Sequence, residues 1–364
     1  MSHRLKTHAS QMTTRSKFVP ASNHTVARRV LVIGGGICGS TTAAVLAQAG
    51  LDVTLFDPGS THDGHLAAAL TPVISGDDNA RSRLSRLGAI EADRFWRSLR
   101  AQTGIEFGLP CGALQLQRPD GAKRAQDLKA QSLAFNQPDW ARWVDRDQAS
   151  RLAGIELPRG GIWYPGGWLI QVPKLIQALR SISGVHVVPH AVSCVEQTGQ
   201  GWLARGEHDQ ILGQGDAVVL ANAFDVLDLL ERSGFEQSIA ACKRLPALHR
   251  LAGEVTLLPA HALVGGPQCV VGGDGYVLPA VGGWCVSGGT YVRGAETAKC
   301  TEAGKRANID RVSELLGMSF ELGEDGHLPG WAGWRAVLPG RCLPSVRSSH
   351  CPTFGSLLPM RHVG

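Results

Sequence analysis

With 364 residues, 43% apolar and 18% charged, the chain is neither disordered nor one small domain; at about 150 residues per domain it predicts two or three. Its nine cysteines include no Cys-x-x-Cys pair, which argues against zinc and a disulfide framework and fits a reducing compartment, and no apolar run of about 18 residues is present to span a membrane. The net charge of +5 resides in residues 1–29, where Arg4, Lys6, Arg15, Lys17, Arg28 and Arg29 meet no acid, and the remaining 30 basic and 31 acidic residues nearly cancel, which argues against a globally basic nucleic-acid binder.

Residues 1–28 read as a flexible basic tail. They lack the apolar core of a secretory signal. The chain is expected to be cytoplasmic, with organelle targeting by this tail as the alternative. Structure is predicted to begin with a strand at Val30–Ile33, a β-branched run suited to burial on both faces. A glycine cluster follows, then an Ala-rich helix over Ser40–Ala49 closed by Gly50, and a second strand from Val53 to Phe56. A helix is predicted over Arg81–Arg100, and short strands with a charged helical stretch near 123–134 fill residues 104–160. Pro173 suits the first position of a helix reaching about Ser183. Strands are predicted at Val185–Val188, Ala191–Glu196 and Ala217–Leu220. From Gly253 to Arg293, strands alternate with Gly-rich turns. A helix is predicted at Asn308–Leu316, and an irregular stretch from Leu338 on.

Gly34-x-Gly36-x-x-Gly39 lies between the first strand and the first helix. The first glycine permits the tight turn, the second lets a pyrophosphate approach the backbone, and the third lets helix and strand pack closely. The helix N-terminus offers free N–H groups and a positive dipole end to the phosphates. Asp57 follows Gly39 by 18 residues, at the end of the next strand, where an acid accepts from a ribose hydroxyl. This pattern predicts a dinucleotide site and does not by itself separate NAD from FAD.

The opening VLVIGGGICGSTTAAVLAQAGLDVTLFD and the later Val218-Val219-Leu220-Ala221-Asn222-Ala223 resemble the FAD-binding segments of the D-amino-acid oxidase and glycine oxidase superfamily. HLAAALTPVIS at 65–75, WYPGGW at 163–168, LAGEVTLL at 251–258, and GDGYVLP at 273–279 with GGTY at 288–291 resemble, in order, segments of one subfamily. That subfamily is the FAD-dependent oxidoreductase half of the MnmC tRNA-modification enzymes.

The resemblance implies an α/β and α+β fold, with a Rossmann-like FAD-binding domain interleaved with a mixed or antiparallel-sheet substrate domain. Residues 29–80, 150–225 and 325–364 would form the first, and 81–149 and 226–324 the second. FAD would rest on Gly34, Gly36, Gly39, Asp57, Leu70, Thr71, Val192, Ala221 and Asn222. The implied reaction removes the carboxymethyl group from a carboxymethylaminomethyl uridine at the tRNA wobble position. A hydride passes from the carbon beside nitrogen to flavin N5, and hydrolysis releases glyoxylate. Gly330-Trp331-Ala332-Gly333-Trp334-Arg335 resembles the family's "Gly-x-Ala-Gly-x-Arg", so Arg335 is the candidate for the substrate carboxylate, which suits a planar fork. Tyr276 and Tyr291 are candidate substrate partners in the hairpin region. His65 and His249 show no spacing that marks a base. The expected partner is tRNA, with a separate methyltransferase as a further one. No metal and no membrane are expected. Arg83, Arg86, Arg94 and Arg97 fall within about 80° on the predicted 81–100 helix. They read as a solvated face, with phosphate contact as the sharper alternative.

The stretch after Arg335 departs from the family. Pro339-Gly340-Arg341-Cys342-Leu343-Pro344 lacks the family's acid, and the 29 residues after Arg335 show neither a Gly-Ser-rich turn nor a helical period. A weak or inactive chain is therefore expected. A small-molecule glycine, sarcosine or D-amino-acid oxidase, or a degenerate copy that binds FAD poorly, are the other readings.

Overall fold

The computed structural model describes residues 28–59, 62–74, 79–118, 128, 139–242, 244–320 and 328–338, with 346–347 and 355–356. Residues 1–27 and nearly all of the charged stretch at 123–134 lie outside the described residues.

β1 (Arg29–Ile33), α1 (Ile37–Gln48) and β2 (Asp52–Phe56) form the first βαβ unit. β1 is buried from Val30 to Ile33, as a strand covered on both faces must be. α1 starts three residues before the predicted helix because Gly36 already takes the N-cap place; Ala49 caps its other end, and Gly50 follows at φ 85°. β3 (Ala68–Leu70) precedes α2 (Ala80–Thr103), whose start is fixed by the Asn79 side chain accepting from the Ser82 N–H and whose end is turned by left-handed Gly104. β4 (Gly108–Leu109), β5 (Ala113–Leu116) and β6 (Arg142–Val144) follow. α3 (Arg146–Ala153) opens on a capping box between Asp145 and Gln148. After β7 (Gly161–Tyr164) and β8 (Trp168–Ile170), α4 (Val172–Arg180) carries Pro173 at its second position, one later than expected, and buries Val172, Leu175, Ile176 and Leu179.

β9 (Val185–Val188) returns to the first sheet. β10 (Cys194–Thr198), β11 (Gly201–Arg205) and β12 (Ile211–Gly215) make an antiparallel meander; β10 begins three residues after the predicted strand. β13 (Ala217–Leu220), α5 (Val226–Arg232) and α6 (Glu236–Ala241) lead into β14 (His249–Pro259). β15 (Val270–Gly273), β16 (Gly275–Val277), β17 (Trp284–Gly288) and β18 (Val292–Arg293) follow as the predicted strand-and-turn series. α7 (Glu302–Leu316) starts six residues before the predicted Asn308, because the Thr301 side chain accepts from the Gly304 N–H and caps the helix there. β19 (Gly330–Val337) closes the main fold. In the stretch expected to be irregular, Val346–Arg347 pairs antiparallel with Gly355–Ser356; the rest of residues 339–364 lies outside the described residues.

The mixed α/β class expected from the sequence is what the chain adopts. Four parallel strands run β13-β1-β2-β9, so Val218–Leu220 lies beside Val30–Ile33. A mixed sheet runs β18-β14-β17-β16-β15-β5-β7-β6, with β19 on the other side of β14. β3, β8 and β4 form a small third sheet.

α7 covers one face of the mixed sheet through a buried polar network. The Asn308 Nδ2 donates to the Glu254 carbonyl (3.3 Å) and to Thr256 Oγ1 (3.2 Å). Thr301 donates its N–H (2.6 Å) and hydroxyl (2.9 Å) to the Glu254 carboxylate. Because side chains alternate along a strand, the residues between these point to the opposite face. On β14 these are Leu251, Gly253 and Val255, paired with Arg335, Gly333 and Trp331 of β19.

Candidate active site

The glycine loop sits between the ends of β1 and β13. Gly34, at φ 102°, adopts a backbone that side chains rarely take, and its N–H donates to the Phe56 carbonyl (2.9 Å). A Cβ on Gly34 would stand 2.6 Å from the carbonyl of Ala221 and 2.7 Å from the Asn222 Cα, so the turn after β13 closes directly on the loop. A Cβ on Gly39 would stand 1.7 Å from the Gly34 carbonyl oxygen, which is the close helix approach expected from the motif. Gly36 differs. Among the described residues its nearest neighbour would be the His62 Nε2 at 3.9 Å, which leaves the loop open toward them. Asn222 adds a buried Oδ1 with no hydrogen-bond partner among the described residues. The open cradle at a helix N-terminus fits a phosphate, and the unsatisfied Asn222 Oδ1, an acceptor, suits a donor such as a nucleotide's ribose hydroxyl.

Asp57 lies at the end of β2, as the spacing predicted, and is 9% exposed. Its carboxylate is paired with Arg180, from the last turn of α4. The same guanidinium donates to the Gly35 carbonyl (2.7 Å) and to Ser40 Oγ (3.3 Å). Arg180 thus ties α4 to the loop, to α1 and to β2 at once. Nothing in its sequence context marks it. Gly35 is also tied to this pair, since a Cβ there would meet Arg180 at 2.3 Å and Asp57 at 2.5 Å.

The loop before β3 approaches from the other side. The His65 ring stacks on Trp331, with centroids 4.3 Å apart, and His62 stands 6.5 Å from the same indole. Burial pushes the His62 imidazole below its ordinary pKa, against the opposing pull of Asp57 and Asp63. Leu70 ends β3 opposite Trp168, and Leu70 and Thr71 are both half-buried. Val192, before β10, is partly buried and packs against the cluster that holds Leu31, Phe56 and Trp202. His249, at the start of β14, approaches the Ala247 carbonyl with Nδ1 at 3.2 Å.

The three candidate substrate residues converge. The Arg335 guanidinium lies over the Tyr291 ring, 4.7 Å from its centroid, and Nη1 donates to the Thr290 carbonyl at 3.4 Å. Tyr276 pairs in register with Gly288, Gly288 with Val255, and Val255 with Trp331, so all four share one sheet face. A Cβ on Gly288 would meet the Tyr276 hydroxyl at 2.8 Å, so that ring lies across the glycine. Burial pushes the Tyr276 hydroxyl up to about 12, with the nearby Arg335 charge opposing it. The face bearing Tyr276, Arg335 and Trp331 is therefore turned, through the Trp331–His65 stack, toward the loop that neighbours Gly36.

The arginine row on α2 is largely occupied within the fold. Arg94 pairs with Glu91 (2.9 Å), Arg97 with Asp93 (3.0 Å), and Arg86 lies over Trp140 at 5.4 Å. That matches the solvated-face reading better than free phosphate contacts. No helix among the described residues is long and apolar enough to cross a membrane.

The family model described as DAO, FAD dependent oxidoreductase, matches residues 29–357. The chain belongs to this family. Its relatives include the tRNA 5-methylaminomethyl-2-thiouridine biosynthesis bifunctional proteins MnmC of Cupriavidus metallidurans, 33% identical over 340 residues, and of Thiobacillus denitrificans, 32% identical over 333. Each alignment covers 88% of this DAO chain and 48% or 51% of the relative, so the chain spans about half the length of the curated relatives it matches. Among solved structures, glycine oxidase from Geobacillus kaustophilus has a TM-score of 0.68 at 17% identity, covering 90% of this chain and 88% of that one. Iminodiacetate oxidase (IdaA) from Chelativorans sp. BNC1 has a TM-score of 0.68 at 19% identity, covering 90% and 89%. These two share the DAO fold. The resemblance read from the sequence is thus borne out, and FAD is the cofactor of this DAO chain. The open mouth at Gly36 and the unsatisfied Asn222 Oδ1 fit it.

Proposed function

We propose that this chain oxidises the C–N bond of an N-substituted glycine, the substrate being the carboxymethylaminomethyl group of a wobble uridine in tRNA. The observation that carries this reading is the convergence of Arg335, Tyr276 and Tyr291 on the sheet face turned toward the glycine loop. Arg335 is the cation of that face, and its fork suits the two oxygens of a carboxylate. Tyr291 stacks under the guanidinium and keeps it from swinging away. Tyr276 stays protonated at any working pH and serves as a hydrogen-bond donor. With the carboxylate held on Arg335, the adjacent CH₂–N bond is oriented away from the sheet, toward the cofactor side.

Bound FAD supplies the two-electron acceptor for the hydride that leaves this carbon. Gly34, Gly36, Gly39, Asp57, Val192, Ala221 and Asn222 would hold it, and Leu70 and Thr71 would face its ring. Water then adds to the carbon–nitrogen double bond, and glyoxylate and the aminomethyl uridine separate. The proposed division of labour gives cofactor binding to residues 29–80, 150–225 and 325–364 and the substrate face to 81–149 and 226–324; β7 and β19 cross it, since both lie in the mixed sheet, and β19 brings Arg335 to the substrate face. The half-exposure of Tyr291 supports a substrate that arrives attached to a large molecule. A methyltransferase acting on the aminomethyl product is the expected functional partner.

The test is glyoxylate release from tRNA bearing carboxymethylaminomethyl uridine, compared with free glycine and sarcosine, using the flavin-loaded full chain. Release from the tRNA at rates well above those with the free amino acids is expected. Turnover of sarcosine or glycine with none of the modified tRNA would overturn the tRNA reading and leave a small-molecule oxidase.

A further inference from the structure

The His62 imidazole hangs over the open mouth of the glycine loop. Among the described residues, its Nε2 is the nearest atom to the place a Gly36 Cβ would occupy, at 3.9 Å, and no other described residue outside the immediate chain comes within 4 Å. The ring is backed by Trp331, with centroids 6.5 Å apart and planes 21° from parallel, and flanked by His65 at 6.4 Å. Among the described residues, the ionisable groups placed around it are Asp57 just after β2, Asp63 beside it in the chain, and His65. Arg180 is already committed to Asp57 and the Gly35 carbonyl. α1 carries no basic or acidic side chain in its first turn. The loop therefore offers neutral N–H donors and about half a unit of dipole charge to a group carrying two negative charges.

We propose that His62 meets the diphosphate of the cofactor as an imidazolium, so that cofactor binding takes up a proton. This rests on the reading of the glycine loop as the FAD diphosphate site. In the free protein, burial disfavours the charged ring. A diphosphate at Gly36 supplies two negative charges at short range and reverses that preference. The His62 pKa then rises on binding from below its ordinary value. A group whose pKa rises on binding favours the complex at low pH. Between the free and bound values, the dissociation constant increases as pH rises, by up to about tenfold per unit. The acids Asp57 and Asp63 favour the imidazolium in both states and do not change this sign.

The experiment is calorimetric titration of the flavin-depleted full chain with FAD between pH 5.5 and 8.5, in two buffers of different ionisation enthalpy, which reads affinity and proton uptake together. His62→Gln and His65→Gln are run alongside, with ADP-ribose and adenosine as probes of the diphosphate and the nucleoside. For the unaltered chain we expect proton uptake and a dissociation constant that rises at least about tenfold across the range. His62→Gln should take up no proton, bind about 10- to 100-fold more weakly at pH 6 and approach the unaltered chain at pH 8.5. His65→Gln should keep the slope. ADP-ribose should show the slope and adenosine none. Proton uptake retained in His62→Gln, or a flat profile in the unaltered chain with FAD bound, would overturn the proposal while leaving the FAD site standing. No FAD binding at any pH would remove both. The pH series on the unaltered chain needs no variant to fold.

Discussion

The Arg335 guanidinium occupies the space of the side chain that Gly253 lacks: a Cβ on Gly253 would stand 1.7 Å from its Nη1. Across the strand pair, Gly333 faces Gly253 in register and does the same for Trp331, whose ring would meet a Gly333 Cβ at 2.3 Å. Two opposed glycines thus form the floor on which the Arg and the Trp lie side by side.

Gly253→Ala should displace the guanidinium without removing its charge. We expect kcat/KM toward a carboxymethylamino substrate to fall about 10- to 100-fold, comparable with losing a charge-assisted contact of roughly 1.5–3 kcal/mol. Arg335→Lys should cost a similar factor, because a point charge does not reproduce a two-pronged contact. Steady-state kinetics on both variants decide the matter. Unchanged kinetics in the Lys variant would take Arg335 out of the substrate site.

Gly36→Val tests the loop in the opposite way. The backbone at Gly36 has φ −63°, and among the described residues only His62 Nε2, at 3.9 Å, neighbours its Cβ place, so the apoprotein accommodates a side chain there. The cofactor does not, since the side chain fills the space for its diphosphate. Purified variant protein should be colourless with a melting temperature close to that of the unaltered apoprotein. Normal flavin content in the variant would refute the assignment of the loop.

Arg180→Met should destabilise the fold itself. It strips the partner from the buried Asp57 carboxylate and a donor from the Gly35 carbonyl. Breaking a buried pair by removing one member costs on the order of 3–5 kcal/mol. Chemical denaturation should show a lower midpoint, and the double change Arg180→Met with Asp57→Leu should recover part of it. A single variant as stable as the parent would mean that the pair contributes little.

Two of the three tyrosines should resist ionisation. Burial raises Tyr164, and it pushes Tyr276 up to about 12. Absorbance near 295 nm should show at most one tyrosine ionising in the folded chain below pH 11, with the others appearing on denaturation. A folded-state pKa above the unfolded one gives stability that is complete below about pH 10 and is lost as pH rises toward about 12. Tyr276→Phe should reduce that loss. Full ionisation of all three in the native chain near pH 10 would contradict the burial of Tyr276.

The glycine loop, its two strands and the acid at 57 were legible because every element of that unit is written within about thirty consecutive residues. β-branched burial, glycine spacing and the helix that follows are local signals. The helix starts at α1 and α7 were misplaced by three and six residues because capping is decided by Gly36 and Thr301, whose conformations the apolar period does not record. The position of Arg335 came from resemblance alone, since an arginine after two tryptophans has no local property that aims it.

Arg180, His62 and Trp331 had no legible signal. Arg180 ends an amphipathic helix, where a basic residue is ordinary, and it reaches Asp57 across 123 residues of chain. His62 and Trp331 are brought together from a loop and a strand more than two hundred and fifty residues apart. The residue order alone specified the first βαβ unit with its glycine loop and the alternation of strands and turns, since period and punctuation are short-range properties of the chain. Which arginine lies over Tyr291, which acid is already paired, and which histidine overhangs the glycine loop were settled only by folding. Strand register and helix packing then place distant side chains within a few ångströms, where charge and burial act.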